Sequence, residues 1–440
     1  MRSFRLAAVP RKYLKRLFRF FSGRDLTMFF LMPAVVCMTN SGNAQDLQYA
    51  KYIVNNLASK KFAGRVYVNN GCESAAGFIR NQFDSLVLLP FSKNYSQPFS
   101  FPVNTFPGKM KVTIDGKKII PGDDFIVNPF SSSANKKYTL KKLEHYSSAD
   151  LFNLNKDVCY KVVQDSLPED ERKLLLSDLL SGKIRSGALI FLQPVKLTWS
   201  VAKDHYKIPV LSVLQYFVPE NAKEISIEIN EKFIPGFKAQ NLTGFVKGSV
   251  NPDSFIVFTA HYDHLGMMGS ETYFPGANDN ASGVSMLLNL AAYFSKKENQ
   301  PRNSIALIAF AGEEAGLVGS KYYTENPLFP LSQIKFLVNL DLLGTGDDGM
   351  MVVNATEYPK HFHLLDSINT SHNYLTKLGQ RGKAENSDHY WFSEKGVPSF
   401  FFYTMGGIQA YHDVNDKAET LPLTEFEDVF RLIVAFTKLL

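Results

Sequence analysis

The sequence predicts an α/β fold with a mostly parallel central sheet, helices on both faces and a smaller strand-rich inserted domain. Two observations carry this. From Asn241 onward, short apolar runs alternate with helical patterns, as expected of strands joined by helical crossovers. Between about Lys111 and Gln240 the texture differs, with short strands crowded together and a polar stretch, Ser131 to Lys137. At 440 residues the chain is long enough for one large domain with an insertion, or for two domains. No internal repeat is visible.

In chain order, Leu47, Ala50, Ile53, Val54 and Leu57 recur at helical spacing, so Asp46 to Lys60 reads as a helix with Asp46 near its N-cap. A second helix is expected from Glu73 to about Asp84, ahead of the irregular "PFSKNYSQPFSFP". "KVTIDG", "SGALIFLQP", "IPVLSVL" and "ISIEIN" read as strands of the inserted part. The alternating half opens with the strand "SFIVFTA", ending at Ala260, and the helix "VSMLLNLAAYFSK" from Val284. The strand "NSIALIAFA", a helix over Gly316 to Glu325 and the strand "IKFLVNLDLLG" follow. "HFHLLDSIN" and "SDHYWFSEKG" read as helices, "VPSFFFYT" as a strand, and "TEFEDVFRLIVAFTKLL" as the closing helix. In such a sheet, sites form at the carboxyl ends of the strands.

An apolar content of 45% and a charged content of 20% describe an ordinary globular protein. The formal charge of +6 sits at one end, because residues 1 to 24 hold eight basic residues and no acid. The rest is near neutral, so the charge carries no nucleic-acid footprint. The basic start is followed by the apolar "MFFLMPAVVCM" and the small, polar "TNSGNAQ". This pattern predicts a secretory signal over 1–44, cleaved after Ala44, with export to the periplasm or beyond the cell and no stable membrane insertion afterwards. The apolar core, about 11 residues, is shorter than the roughly 20 needed to span a bilayer. Cys72 and Cys159 would remain in the mature chain, either paired or as two buried thiols.

Each strand of the second half ends in a residue type that ligates metal. "FTAHYDHLG" offers His261, Asp263 and His264, and "GANDNASG" offers Asp279. "FAGEEAG" offers Glu313 and Glu314, "VNLDLLG" Asp341, and "AYHDVND" His412. Singly, each has an ordinary explanation as a buried histidine, a solvated turn or a helix cap. Five such features in one half point to a metal site. Imidazoles and carboxylates without thiolates suit Zn, Mn or Co with an open coordination position, and a carboxylate can bridge two ions. Adjacent side chains at a strand end diverge. One of the Glu313–Glu314 pair can therefore ligate metal while the other takes a proton from the attacking water. Neither HExxH nor GxSxG occurs. "GTGDDG", Gly344 to Gly349, matches a dinucleotide glycine pattern, but a strand-type "MMVVN" follows it rather than a helix.

"AHYDHLG", "GANDNASG", "AFAGEEAGLVGS", "NLDLLG" and "YHDVNDKAETL" resemble the five motif blocks of the co-catalytic dizinc metallopeptidases of the bacterial leucyl aminopeptidase type, whose relatives include glutamate carboxypeptidase and glutaminyl cyclase. The likeness covers about 240–440 closely and the "LASKKFAGR" region more loosely. It implies a dizinc exopeptidase fold, with 45–110 as the N-terminal part, 111–240 as a protease-associated type of insert, and 241–440 as the catalytic core. It implies two zinc ions, with His261 and Asp341 at one, Glu314 and His412 at the other, and Asp279 bridging. It also implies Glu313 as general base, Asp263 hydrogen-bonding the ligand histidine, and Tyr411 polarising the substrate carbonyl. His264 and His389 are expected to be structural or to lie behind the ligands. An arginine that some relatives carry before "NSDHYWF" is replaced here by Asn386. The expected activity is release of N-terminal residues from peptides or proteins. The rival readings are a single-zinc glutaminyl-peptide cyclase on the same fold and a non-catalytic binding protein on that scaffold.

Overall fold

The structure, a computed structural model, describes residues 47–147, 149, 154–163 and 167–440. The expected signal segment and the expected cap Asp46 lie outside the described residues. Helix α1 (Leu47–Leu57) buries Ala50, Ile53, Val54 and Leu57, one apolar stripe at helical spacing. It ends three residues before the expected Lys60, where the chain enters a short 3-10 turn, Lys60–Arg65, with left-handed Ala63 and Gly64. Helix α2 (Gly71–Ser85) follows, then strands β1 (Leu89–Pro90) and β2 (Ser96–Thr105).

A second sheet comes next in the chain. Its strands are β3 (Met110–Ile114), β4 (Lys117–Ile119), β5 (Phe125–Val127), β6 (Ala134–Lys142) and β7 (Val158–Val163). After helix α3 (Glu169–Leu180) come β8 (Ala188–Gln193), β9 (Val210–Leu214) and β10 (Glu224–Ile229). The spatial order is β4-β3-β10-β6-β7-β8-β9-β5, parallel from β6 to β9 and antiparallel elsewhere.

The main sheet takes β1, β2 and the strands that follow: β11 (Lys232–Val246), β12 (Asn251–His261), β15 (Asn303–Phe310), β16 (Ile334–Leu340), β17 (Met350–Val353), β18 (Leu378–Gln380) and β19 (Ser399–Thr404). A small hairpin, β13 (Met267–Met268) with β14 (Thr272–Tyr273), stands apart. The helices are α4 (Gly283–Phe294), α5 (Val318–Glu325), α6 (Pro359–His372), α7 (His389–Glu394) and α8 (Phe426–Leu439). The order is β1-β11-β15-β12-β16-β19-β17-β18, with β2 also on β11.

This sheet is mixed, which corrects the expectation of a mostly parallel one. The run β15-β12-β16-β19 is parallel, as is β17 with β18. The pairings of β1, β2 and β15 with β11, and of β17 with β19, are antiparallel. The reason lies in the connections. A parallel return needs a crossover of a dozen or more residues. Only residues 247–250 separate β11 from β12, and only the helix-free 341–349 separates β16 from β17, so both chains must reverse.

The central strands are apolar on both faces. Ile256, Phe258, Ala260, Ile305, Leu307 and Ala309 point to one cluster, shared with α1, α4 and α8. Phe255, Val257, Ala306, Ile308 and Phe310 point to another, shared with Tyr323 of α5 and Phe392 of α7. The period of two thus feeds two helical layers from one run of residues. Cys72 and Cys159 are free thiols buried in different clusters. None of the helices among the described residues is long and apolar enough to cross a membrane.

Candidate metal centre

Because β12, β15 and β16 run in parallel, their carboxyl ends open on the same edge. His261 is the last residue of β12, Glu313 and Glu314 follow β15, and Asp341 follows β16 directly. Asp279 stands just ahead of α4, and His412 in the loop after β19. These six residues, with Leu342, Arg381, Asn386, Phe401, Tyr403 and Tyr411, line one cleft of about 220 Å³.

Asp279 divides the centre. Its Oδ1 lies 3.3 Å from His261 Nε2, and its Oδ2 lies 3.0 Å from His412 Nε2. His261 Nε2 also faces Asp341 Oδ1 at 3.5 Å, and His412 Nε2 faces Glu314 Oε2 at 3.3 Å. Two half-sites result, His261 with Asp341 and His412 with Glu314, sharing one carboxylate. The adjacent glutamates diverge: Glu313 groups with His261 and Asp341, while Glu314 groups with Asp279 and His264. His264 Nδ1 meets the other oxygen of the Glu314 carboxylate, Oε1, at 2.8 Å.

Both ligand-type imidazoles have their Nδ1 atoms on backbone carbonyls, His261 on Asp263 O at 3.2 Å and His412 on Trp199 O at 3.0 Å. An imidazole donating through Nδ1 presents a lone pair at Nε2. Each Nε2 therefore faces carboxylate oxygens that only accept, and Asp341 Oδ1 is buried without a hydrogen-bond partner. Lone pairs so opposed require a cation or protons between them. The donor set thus fits a divalent metal.

The electrostatics say the same. Burial lowers the His412 imidazole, but Glu314 and Asp279 outweigh it and carry the group up to about 9. Burial likewise opposes protonation of His261, and Asp341, Glu313 and Asp279 still raise it well above its usual value. Burial raises the Glu313 carboxyl well above the usual range; His261 opposes this, and Glu314, Asp388 and Asp341 reinforce it. A bound dication reverses the cost of this crowding.

The supports come from distant segments. Asp263 places its carboxylate under the Glu313 and Glu314 N–H groups, at 3.2 and 3.3 Å, and stands 3.7 Å from His261 Nδ1. Its backbone carbonyl, rather than its carboxylate, takes the histidine, because the carboxylate is occupied by the glutamate turn. A buried relay runs from Thr259 to Asn339, on to Ser387 and into Asp341 Oδ2, the last step 2.9 Å. Asp416 accepts the N–H groups of Asn278 and Asp279 at 2.8 and 3.0 Å.

Sequence reasoning missed Arg65. This fully buried guanidinium spends its donors on five carbonyls: Leu57, Tyr262, Pro275, Gly276 and Asp279. The only signal was its place in "LASKKFAGR". Arg381 was also missed. It reaches the cleft from beyond β18 and donates to Tyr403 Oη at 3.0 Å, near Asn386. Trp199, in the loop between β8 and β9, carried no sequence signal at all. Tyr411 lines the cleft, half-exposed, with its ring stacked on His412 at 4.0 Å between centroids. His389 is buried against Phe401 and does not line the cleft.

The family model described as peptidase family M28 matches residues 241–437, the stretch that supplies all six of these residues. Over that stretch the chain is similar to peptidase family M28. The matched stretch takes in the main sheet from the second half of β11 onward. A probable zinc metalloprotease of Leptosphaeria maculans is 36% identical over 116 residues, 26% of each chain. Aminopeptidase YwaD of Bacillus subtilis is 28% identical over 256 residues, 55% of this chain and 53% of its own. The chain spans about a quarter of the length of the first curated relatives it matches. Among solved structures, a zinc aminopeptidase from Bacillus subtilis superposes with a TM-score of 0.66 at 20% identity, covering 88% of this chain and 94% of that one. An aminopeptidase from Aneurinibacillus sp. strain AM-1 gives 0.62 at 18%, covering 89% and 93%. At these identities the likeness is one of fold, and it extends beyond the M28 segment to nearly the whole described chain.

Proposed function

We propose that this chain is an exported zinc-dependent exopeptidase that removes N-terminal residues from peptides or proteins. The observation that carries the reading is the division of Asp279 between two half-sites, with Glu313 beside them in the cleft. His261 and Asp341 would hold one ion, His412 and Glu314 the other, and Asp279 would bridge; Mn or Co could replace zinc. When bound, the ions supply Lewis acidity toward the scissile carbonyl and lower the pKa of the attacking water. The curated relatives and structural neighbours named for zinc and for aminopeptidase activity support this choice.

The chain's own residues do the rest. Glu313 takes the proton from the attacking water and returns it to the leaving amine. Asp263 fixes the turn that carries Glu313 and Glu314, so the base is aimed by a buried carboxylate. Tyr411 presents its hydroxyl to the carbonyl. Arg381 and Tyr403 take the far side of the substrate, the place left open by Asn386. Residues 1–44 would direct export, and 111–240 would be an insert between the two parts of the peptidase domain.

The test is metal content with activity. Purified protein should hold two zinc ions and release free N-terminal residues from a peptide panel, with activity abolished by chelation or by blocking the amine. Cyclisation of a glutamine-initiated peptide with one zinc would give the cyclase reading instead. Metal without turnover of any peptide would leave a binding protein. A mature N-terminus at Gln45, read by mass spectrometry, tests the export signal.

A further inference from the structure

The segment between β8 and β9 leaves the second sheet and lies against the metal centre. Trp199 spends both its backbone polar groups on a single residue: its N–H donates to His412 O at 2.9 Å, and its carbonyl accepts His412 Nδ1 at 3.0 Å. Nearby, Lys196 donates to Gln409 O at 2.9 Å and pairs with Asp413 at 3.1 Å. The same segment reaches the glutamate turn, where Lys203 Nζ is 3.3 Å from the place a Cβ on Gly316 would occupy. Trp199 is itself anchored. Its buried indole donates to Val127 O at 2.7 Å and packs on Phe274 at 4.6 Å. His412 needs such a hold, because it sits at φ +53, a left-handed conformation costly for a side chain with a Cβ.

We propose that Trp199 is a positioning residue of the metal centre: it fixes the His412 imidazole with Nδ1 on its carbonyl and Nε2 toward Asp279 and Glu314. Occupancy of the His412–Glu314 half-site then depends on the second sheet, while the His261–Asp341 half-site, built on adjacent main-sheet strands, does not. This rests on the two-ion reading above. Outer partners that orient a ligand histidine typically change metal affinity by about 10–100-fold when lost.

The experiment titrates zinc into chelator-treated full-length protein and records the ¹⁵N histidine spectrum of the metal-free form. In Trp199→Ala one of the two ions should bind about 10–100-fold more weakly, the other as in wild type, and His412 should lose its fixed Nδ1–H tautomer. Trp199→Phe, which keeps an aromatic anchor, should restore most of both. Lys196→Ala, a change at a partly exposed residue that leaves the core intact, should weaken the same ion by a smaller factor. Wild-type affinity for both ions in Trp199→Ala and Lys196→Ala, or a parallel loss of both ions, would overturn the inference. If wild-type protein takes up only one ion or none, the two-ion reading itself fails. The histidine spectrum still decides the positioning role in that case: an unchanged His412 signal in Trp199→Ala overturns it, and a lost Nδ1–H signature upholds it.

Discussion

The two halves of the candidate metal centre are built differently. His261 and Asp341 stand at the ends of β12 and β16, neighbours in the parallel run, and their side chains are 1% and 8% exposed. His412 comes from the loop between β19 and α8, in a left-handed conformation, with its side chain 15% exposed and its Nδ1 held by the loop between β8 and β9. One half inherits its geometry from strand pairing, which the core fixes anyway. The other needs a contact brought in from 213 residues away in the chain. A hydrogen-bonded register places a side chain as a consequence of folding, whereas a loop ligand is placed only as well as its partners hold it.

The comparison is broken most directly at the residue both halves are meant to serve. Glu313→Gln should keep both ions and lose about 10²- to 10⁴-fold in turnover, the usual worth of a general base. Near-normal kcat with full metal content would mean the halves share no proton acceptor at this position. Arg65 is the next test, because it holds the Asp279 carbonyl and so supports both halves at once. Arg65→Met leaves five carbonyls without their donor and should cost about 3–5 kcal/mol in urea unfolding. Arg65→Lys, with three donors in place of a fork of five, should recover only part. Loss confined to one half would break the symmetry argued for Asp279.

His389, buried against Phe401, offers a test outside both halves. Burial holds its imidazole down to about 3, from a usual 6.5. The unfolded chain therefore gains this proton first, and stability falls as pH drops from 6.5 toward 3. Between pH 6.5 and 5 the loss from this group is about 2 kcal/mol, at 1.36 kcal/mol per unit. His389→Phe should remove it, as read from urea midpoints at the two pH values. The smallest effect is expected at the rim of the cleft. Arg381→Ala should raise KM about tenfold, about 1.4 kcal/mol, with little change in kcat; an unchanged KM would remove Arg381 from substrate binding.

Much of the site was legible because it lies at strand ends. The runs ahead of His261, Glu313 and Asp341 are continuous and apolar, so the first polar residues after them stand out in the sequence. The elements of the second half were legible for the same reason, down to the short α7 in "SDHYWFSEKG", whereas β2, inside the expected irregular "PFSKNYSQPFSFP", and helix α3 were not. The mixed sheet was not, since strand direction depends on what each connection can span rather than on the strand's own composition. Arg65 was hidden because a lone arginine in a short turn has no periodicity to mark its burial. Asp263 was placed beside the right histidine, but its carboxylate goes to the Glu313–Glu314 turn, a choice between nearby donors that spacing does not settle.

By itself the sequence determined which residues of this protein meet at the strand ends, because continuous apolar runs set the strands and parallel pairing brings their carboxyl ends to one edge. Only the tertiary structure decided how Asp279 is shared, which way each glutamate points, and that His412 is held by Trp199 from the loop between β8 and β9. Those are contacts between segments far apart in the chain, and they follow from packing and hydrogen-bond geometry that no local pattern encodes.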